Sequence, residues 1–284
     1  MCPVKFMKSN TVSRHQNIPN PASYRAFTLV ELVVVVAILA LLAAMSLPAL
    51  CKTNIKSNGL QCVSNMKSLA AAWLMFSADN NDKLLSSYAA ESIRWVDGNV
   101  DNSAGGDFID LNNYLPASPL NPYLGGNVKV YKCPSDARVS SLAGFVGTPV
   151  CRSVSMNVFI RSDASTSGGY LVYKKISDLN RPGPANTFVI LDENRGTIND
   201  ASFYMDMATY DPNNLPGKSW IDVPSAYHFN SGTLSFADGH VEMHRWTDPR
   251  TLSSYGFGGG PSPNNLDIDW LQSKTTAKIT NPTR

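Results

Sequence analysis

Apolar residues follow one another from Phe27 to Leu50, and Glu31 is the one charged residue among them. About twenty apolar residues in a helix are enough to cross a bilayer, so this run predicts a transmembrane helix over residues 27–50. The 26 residues before it contain four lysines and arginines and no acidic residue. The positive-inside rule therefore predicts that this first segment stays in the cytoplasm and that the rest of the chain is exported.

Apolar positions recur at helical spacing after the transmembrane run. Because steps of three and four residues place side chains on one face of a helix, the pattern predicts an amphipathic extension over residues 51–82. Pro48 and Gly59 are expected to weaken or bend this helix, and the turn-forming residues 79–82 are expected to end it. The apolar face consists of Cys62, Met66, Leu69, Trp73 and Phe76.

Residues 83–284 alternate between short apolar runs and clusters of proline and glycine, which predicts a globular domain of strands joined by loops. Strands are expected over residues 127–133, 152–160 and 187–192. No long helical pattern separates these runs, so an antiparallel sheet is favoured. The predicted fold class is α+β, with a long N-terminal helix packed on an antiparallel sheet.

The clearest hairpin joins residues 233–237 to residues 240–244. Between them stand Asp238 and Gly239, whose residue types suit the positive φ angles of a two-residue type I′ turn. The apolar side chains of this hairpin are expected to cover the N-terminal helix; they are Leu234, Phe236, Val241 and Met243.

Two other interpretations of the N-terminal segment conflict with Glu31 and with Leu50. An ordinary secretory signal would be removed near Ser46, but an acidic residue at the centre of a membrane helix costs about 2.5 to 3.5 kcal/mol and has no use in such a signal. A lipoprotein anchor at Cys51 is disfavoured because Leu50 is too bulky for the usual lipidation site.

Ala26 followed by Phe27-Thr28-Leu29-Val30-Glu31, with Pro48 twenty-one residues after Phe27, resembles the class III leader and first helix of type IV pilins and type II secretion pseudopilins. The resemblance implies that prepilin peptidase cuts between Ala26 and Phe27 and methylates the new amine of Phe27. It also implies that Glu31 neutralises the Phe27 amine of a neighbouring subunit during assembly. The family usually has glycine at the position of Ala26, so slower cleavage is expected.

The same resemblance implies an organisation for the whole chain. Residues 1–26 are the leader, residues 27–50 the transmembrane assembly segment, and residues 83–284 a periplasmic domain. The protein is expected in the inner membrane, crossing it once with a cytoplasmic N-terminus. Its implied partners are other pilin or pseudopilin subunits, prepilin peptidase, an inner-membrane assembly platform and membrane lipid; the sequence leaves open whether the machine is a secretion system or a pilus.

A second pattern lies in the C-terminal half, where His228 precedes Asp238-Gly239 by nine intervening residues. With residues 131–136 and 152–157 and Leu191-Asp192-Glu193, this H-x9-DG arrangement resembles a large pseudopilin-like family abundant in planctomycete and verrucomicrobial bacteria. The resemblance covers most of residues 26–272. A structural role is expected for His228, as a hydrogen-bond partner of the Asp238-Gly239 turn or its neighbouring backbone.

The cysteines predict a disulfide rather than a metal site. Disulfides persist in extracytoplasmic compartments, and Cys133 and Cys151 are the preferred pair, with Cys62 left as a buried thiol, although sequence alone leaves the connectivity open. No pair of cysteines has CxxC spacing, so a thiolate metal site is not expected.

Candidate chemistry elsewhere is sparse, and no enzyme activity is predicted. On one strand His240 and His244 would lie about 13 Å apart, too far to share an ion, and no GxSxG nucleophile elbow is present. Asp267 and Asp269 follow a glycine-rich stretch and are candidate calcium ligands, although a plain loop is the preferred interpretation. No other cofactor is expected.

The net charge of the mature chain indicates which kinds of partner it can bind. The formal charge of +2 includes four cations of the leader, which leaves +2 − 4 = −2 for the mature chain. That balance argues against nucleic-acid binding, which needs a basic face. The alternative function is a membrane-anchored extracytoplasmic binding module, for example for polysaccharide, that uses a pilin-type anchor; the aromatic residues available to it are Tyr88, Trp95, Tyr170, Tyr204 and Trp220.

Overall fold

The computed structural model describes residues 28–87, 93–100, 114–141, 145–161, 168–213, 215–253, 256 and 258–279, with side chains described outside 43–55. The chain divides into two compact units, Met1–Ala49 and Leu50–Arg284. Ala26, Phe27 and Tyr88 lie outside the described residues.

Helix α1 covers Leu29–Asp79 and continues through Pro48 and Gly59. Neither residue therefore ends the helix. From residue 28 to residue 42 the described side chains are exposed. Among the described residues, no helix combines the length and the apolar character needed to cross a membrane.

The second half of α1 confirms the predicted apolar face. Gly59 is buried there, and a Cβ at this position would lie 3.1 Å from Cε of Met243 and 3.5 Å from Cγ of His228. The glycine thus allows the helix backbone to approach these two side chains, which explains its place within a helix. All five predicted face residues are at most 8% exposed: Cys62, Met66, Leu69, Trp73 and Phe76.

A five-stranded sheet forms the centre of the second unit. Its strands are β1 Val154–Asn157, β2 Phe188–Asp192, β3 Ser202–Phe203, β5 Ser231–Phe236 and β6 Val241–Arg245. They lie in the order β3-β1-β2-β5-β6. Neighbouring strands are antiparallel except for β1 and β3, which are parallel, so the sheet is mixed and the expectation of a purely antiparallel sheet is wrong. The parallel pair arises because the chain leaves β2, passes the end of β1 and pairs along its far edge.

Two smaller elements complete the regular structure on the C-terminal side. Strands β4 (Ser219–Trp220) and β7 (Gly260–Pro261) pair antiparallel. Helix α2 covers Leu266–Ser273 and is capped by the Asn265 side chain, which accepts hydrogen bonds from the first turn. With α1 and the mixed sheet, these elements make the fold α+β.

The segment 127–133 is a 3₁₀-helix over Val128–Tyr131 rather than the predicted strand. The Asn127 side chain accepts a hydrogen bond from the Lys129 amide and thereby starts the turn. Consecutive residues Val130 and Tyr131 are both buried, which the alternation of a half-exposed strand would not allow.

The β5–β6 hairpin is confirmed, but its turn differs from the prediction. Ser235 pairs with Val241 and the Phe236 amide donates to the His240 carbonyl, so three residues form the loop. Gly239 alone among them has a positive φ, 90°. A three-residue loop with glycine at its last position is another common hairpin solution.

Apolar side chains form one cluster on each side of the sheet. The first contains Met66, Leu69 and Trp73 of α1 with Val154 and Met156 of β1. The second joins the sheet to α2 and includes Leu234 and Phe236 of β5, so these two residues do not cover α1 as predicted. The α1 side of β5 carries Thr233 and Ser235 instead, because side chains alternate along a strand.

Candidate functional site

The first turn of α1 is closed by a reciprocal pair of side chains, Thr28 and Glu31. The Glu31 Oε2 atom accepts hydrogen bonds from the Thr28 amide at 2.9 Å and from the Thr28 hydroxyl at 2.8 Å. In return the Glu31 amide donates to Thr28 Oγ1 at 3.3 Å. This is a capping box, in which helix-terminal donors are satisfied by side chains.

The capping box gives Glu31 a role that the sequence reasoning missed. The signal was present in the sequence, since Thr followed three residues later by Glu before an apolar run is the usual pattern of such a box. The carboxylate is exposed and lies in the first turn of the helix. Phe27, the residue before Thr28, carries the predicted cleavage and methylation site and lies outside the described residues.

A second group of polar side chains lies buried between α1 and the sheet. Cys62 of α1, Cys133, Asp192 at the end of β2, and His228 each offer a ligand-type atom, and all these atoms lie within 4.8 Å of one another. None of the four residues is more than 2% exposed. Cys62 Sγ lies 2.7 Å from Asp192 Oδ2, and Cys133 Sγ lies 3.2 Å from His228 Nε2.

Ser153 connects two members of this buried group. Its hydroxyl accepts a hydrogen bond from the Cys133 amide at 2.7 Å and donates to Asp192 Oδ1 at 3.4 Å. The Ser153 amide donates in turn to the carbonyl of Tyr131. The segment before Cys133 therefore lies beside β1, and this pairing fixes where the Cys133 sulfur lies.

In the described part of the chain, Cys133 and Cys151 do not form the predicted disulfide. The reason is the pairing just described, because Cys133 lies opposite Ser153 and its sulfur is next to Cys62 and His228. Cys62 is buried as expected, but its thiol donates to Asp192.

The predicted contact of the His228 ring with the Asp238-Gly239 turn is wrong. The His228 backbone exchanges hydrogen bonds with Ser231, whereas the ring approaches Cys133 through Nε2. The His228 Nδ1 atom is buried and has no hydrogen-bond partner in the part of the chain that the structure describes. Asp238 instead accepts a hydrogen bond from the His240 amide.

The pKa values of three of these four side chains are shifted from their usual values, and burial contributes to each shift. Burial raises the pKa of Asp192 to about 7 and lowers the pKa of His228. The pKa of the Cys62 thiol lies well above its usual value because of its hydrogen bond with Cys133, burial, and the nearby Asp192. In each case removal from water disfavours the charged form.

The other polar candidates have partners within the fold. Asp267 accepts hydrogen bonds from the amides of Thr247 and Asp248, and Asp269 pairs with the buried Lys218 at 2.8 Å. These contacts give both candidate calcium ligands a structural explanation.

Besides His228, the described part of the chain contains two histidines, and each pairs with a different acidic side chain. His240 Nδ1 lies 2.5 Å from Asp238, and His244 Nδ1 lies 3.0 Å from Glu242.

The aromatic residues considered for a binding surface lie mostly in the interior. Trp95, Tyr170 and Trp220 are at most 5% exposed, and Tyr204 is partly buried against the second apolar cluster. Much of the surface of these four described aromatic side chains is therefore buried in the core.

A cavity of about 570 Å³ opens beside the buried group and is lined in part by Gln61, Lys132, Cys133 and Cys151. Cys133 therefore contacts both the cavity and the buried group.

Comparison with known families gives a match at the N-terminus. Residues 22–47 match the family model described as the prokaryotic N-terminal methylation motif. Comparisons with curated proteins and with solved structures return no match. The matched region includes Thr28 and Glu31 and the predicted cleavage site between Ala26 and Phe27. Residues 22–47 therefore carry a type IV pilin-like prepilin signal, the mark of a prepilin peptidase substrate associated with the cell envelope.

Proposed function

We propose that this protein is a pilin or pseudopilin subunit of a type II secretion or type IV pilus-like filament, and that it acts by assembly rather than by catalysis. The observation that carries the proposal is the match of residues 22–47 to the N-terminal methylation motif. The sequence resemblance through His228 and Asp238-Gly239 supports a further part of the proposal, that the protein is of the H-x9-DG pseudopilin-like type.

In this proposal prepilin peptidase removes residues 1–26 and methylates Phe27. Residues 27–50 then anchor the subunit in the inner membrane with its N-terminus on the cytoplasmic side, and the globular unit lies in the periplasm. An assembly platform brings subunits together so that their apolar segments pack side by side. The exposed apolar side chains of residues 29–42 are the surface that lipid and neighbouring subunits would cover.

Glu31 supplies the electrostatic step of assembly. The capping box holds its carboxylate in the first turn of α1, hydrogen-bonded to the amide of Thr28, the residue that directly follows the new terminus. An acidic group in an apolar medium is unfavourable unless it is paired. The positively charged amine of Phe27 on a neighbouring subunit would supply that pair.

Mass spectrometry of the mature N-terminus tests the proposal directly. The chain should be expressed in cells with an active prepilin peptidase and in matched cells that lack it. The expected mature species begins with methylated Phe27 and appears only where the peptidase is active. Ala26→Gly should be processed at least as fast as the wild type. A mature terminus near Ser46, or cleavage that does not depend on the peptidase, would refute the proposal.

A further inference from the structure

Four residues that are far apart in the sequence meet in one buried position. Cys62 comes from α1, Cys133 from the segment after the 3₁₀-helix, Asp192 from the end of β2, and His228 from the turn before β5. Their ligand-type atoms lie within 4.8 Å of one another. Two thiols, an imidazole and a carboxylate are together the ligand types that bind zinc in proteins.

The burial of these groups is difficult to explain by hydrogen bonding alone. A buried polar group without a good partner is costly, and thiols are weak donors and acceptors. Among the described residues, the His228 ring has the Cys133 sulfur at Nε2 and no hydrogen-bond partner at Nδ1. A cation between the four side chains would give Nε2 a strong interaction and would neutralise most of the charge on the acidic ligands.

We propose that Cys62, Cys133, Asp192 and His228 form a structural zinc site that fastens α1 to the sheet. In this site each thiol binds as a thiolate and releases its proton to solvent. Two thiolates and one carboxylate carry three negative charges, so one net negative charge remains when a divalent ion is bound. The site is independent of the processing of residues 26 and 27.

The separations fit a tetrahedral ion after a small adjustment. With bonds of about 2.3 Å to sulfur and about 2.0 to 2.2 Å to nitrogen and oxygen, ligand atoms around zinc lie about 3.3 to 3.8 Å apart. The 2.7 Å contact between Cys62 and Asp192 is a hydrogen bond, and loss of the thiol proton removes it and lets the two atoms separate around the metal. Four protein ligands leave no open position, which is typical of a structural rather than a catalytic zinc site.

Two further features support the assignment. Ser153 bonds to both the Cys133 backbone and Asp192, as expected of a residue that orients ligands. Cys133 also lines the cavity of about 570 Å³, so one of the four residues lies at the boundary between the cavity and the buried group. The CxxC rule of the sequence analysis could not find this site, because each ligand comes from a different segment.

The first test is the metal content of the full chain, purified in mild detergent without chelator and analysed by mass spectrometry of the metal. About one zinc ion per chain is expected. Cobalt should replace it and give the intense visible absorption of tetrahedral cobalt with thiolate charge-transfer bands. A chelator strong enough to remove the ion should lower the melting temperature.

Variants then identify the ligands. Cys133→Ser should reduce zinc from about one ion per chain to near zero and abolish the effect of chelator on melting. Cys151→Ser is the matched control, since Cys151 is also buried and lines the same cavity but does not belong to the group of four; it should retain zinc. Ser153→Ala should weaken zinc binding about 10- to 100-fold, as is usual for residues that orient ligands.

Three results would overturn the proposal. The first is wild-type protein that contains no zinc and takes up none from an equimolar solution. The second is undiminished zinc in Cys133→Ser. The third is a disulfide between Cys62 and Cys133 in protein from the envelope, found by peptide mapping without reductant. Because the cobalt spectrum is measured on the wild type, misfolding of a variant does not remove the test.

Discussion

The Glu31 carboxylate has one partner inside its own helix and, in the proposed filament, a second partner on a neighbouring subunit. Within the helix it accepts two hydrogen bonds from Thr28 through Oε2. A neutral side chain of the same shape can accept such bonds, but it cannot pair with a charged amine. The two roles can therefore be separated by substitution.

Glu31→Gln should preserve the start of α1 and abolish filament formation, while the protein accumulates in the membrane. Glu31→Ala should also prevent assembly, and loss of the cap should cost the helix about 0.5 to 2 kcal/mol. Thr28→Ala is the control, because it weakens the cap but keeps the charge, so filaments should still form. The amount of filament in fractions sheared from the cell surface measures the outcome. A normal filament yield with Glu31→Gln would show that the charge of Glu31 is not needed for assembly.

Asp222 is a buried acid outside the proposed metal site, and it predicts a pH dependence of stability. Its carboxylate accepts a hydrogen bond from the Tyr204 amide at 2.6 Å. Burial raises its pKa to about 7, whereas an unfolded chain releases this proton near about 3.9. Between these values the folded state holds more protons, so the contribution of Asp222 to stability is full below about pH 4 and is lost as the pH rises through about 7.

The unfolding free energies of wild type and Asp222→Asn should therefore be compared from pH 4 to pH 7. The difference, wild type minus variant, is expected to fall as the pH rises, with a slope of at most about 1.4 kcal/mol per pH unit. Urea titrations at fixed pH measure it. A difference that stays constant across this range would mean that Asp222 titrates normally.

At the scale of elements, the two faces of α1 differ in what they contact. Leu69 is fully buried in the first apolar cluster, whereas Leu60, nine residues earlier on the same helix, is 65% exposed. Sequence periodicity identified the buried face because helical spacing is a local property. It could not identify β3, whose two residues pair with β1 only after the chain has passed the end of that strand.

Leu69→Ala should lower the unfolding free energy by about 2 to 5 kcal/mol, since it removes buried methyl groups and leaves a cavity. Leu60→Ala is the matched control, because it makes the same change on the same helix at an exposed position. Its effect should stay within about 0.5 kcal/mol. Chemical denaturation of the purified chain measures both. Equal losses would show that the two leucines have similar environments in solution.

At the scale of the whole molecule, the two compact units carry separate proposals. The signal at residues 22–47 lies in the first unit, Met1–Ala49. The buried group of Cys62, Cys133, Asp192 and His228 lies in the second unit. Processing of the N-terminus and zinc content can therefore be measured independently, and failure of one leaves the other unaffected.

The sequence by itself determined the prepilin-type signal, the apolar face of α1, the β1 and β2 regions and the β5–β6 hairpin. Each of these depends on residues close together in the chain, where charge, helical period or turn type acts locally. The same local rules failed at residues 127–133, where the Asn127 cap and the burial of both Val130 and Tyr131 produce a 3₁₀-helix.

Only the tertiary structure decided the environment of the cysteines and of His228. Spacing favoured a bridge from Cys133 to Cys151, but the pairing of Cys133 with Ser153 puts its sulfur beside Cys62, Asp192 and His228. These residues lie on separate segments, and their meeting depends on how α1 packs on the sheet and on the order of the strands. No local pattern encodes that arrangement, because it results from the burial of apolar side chains over the whole domain.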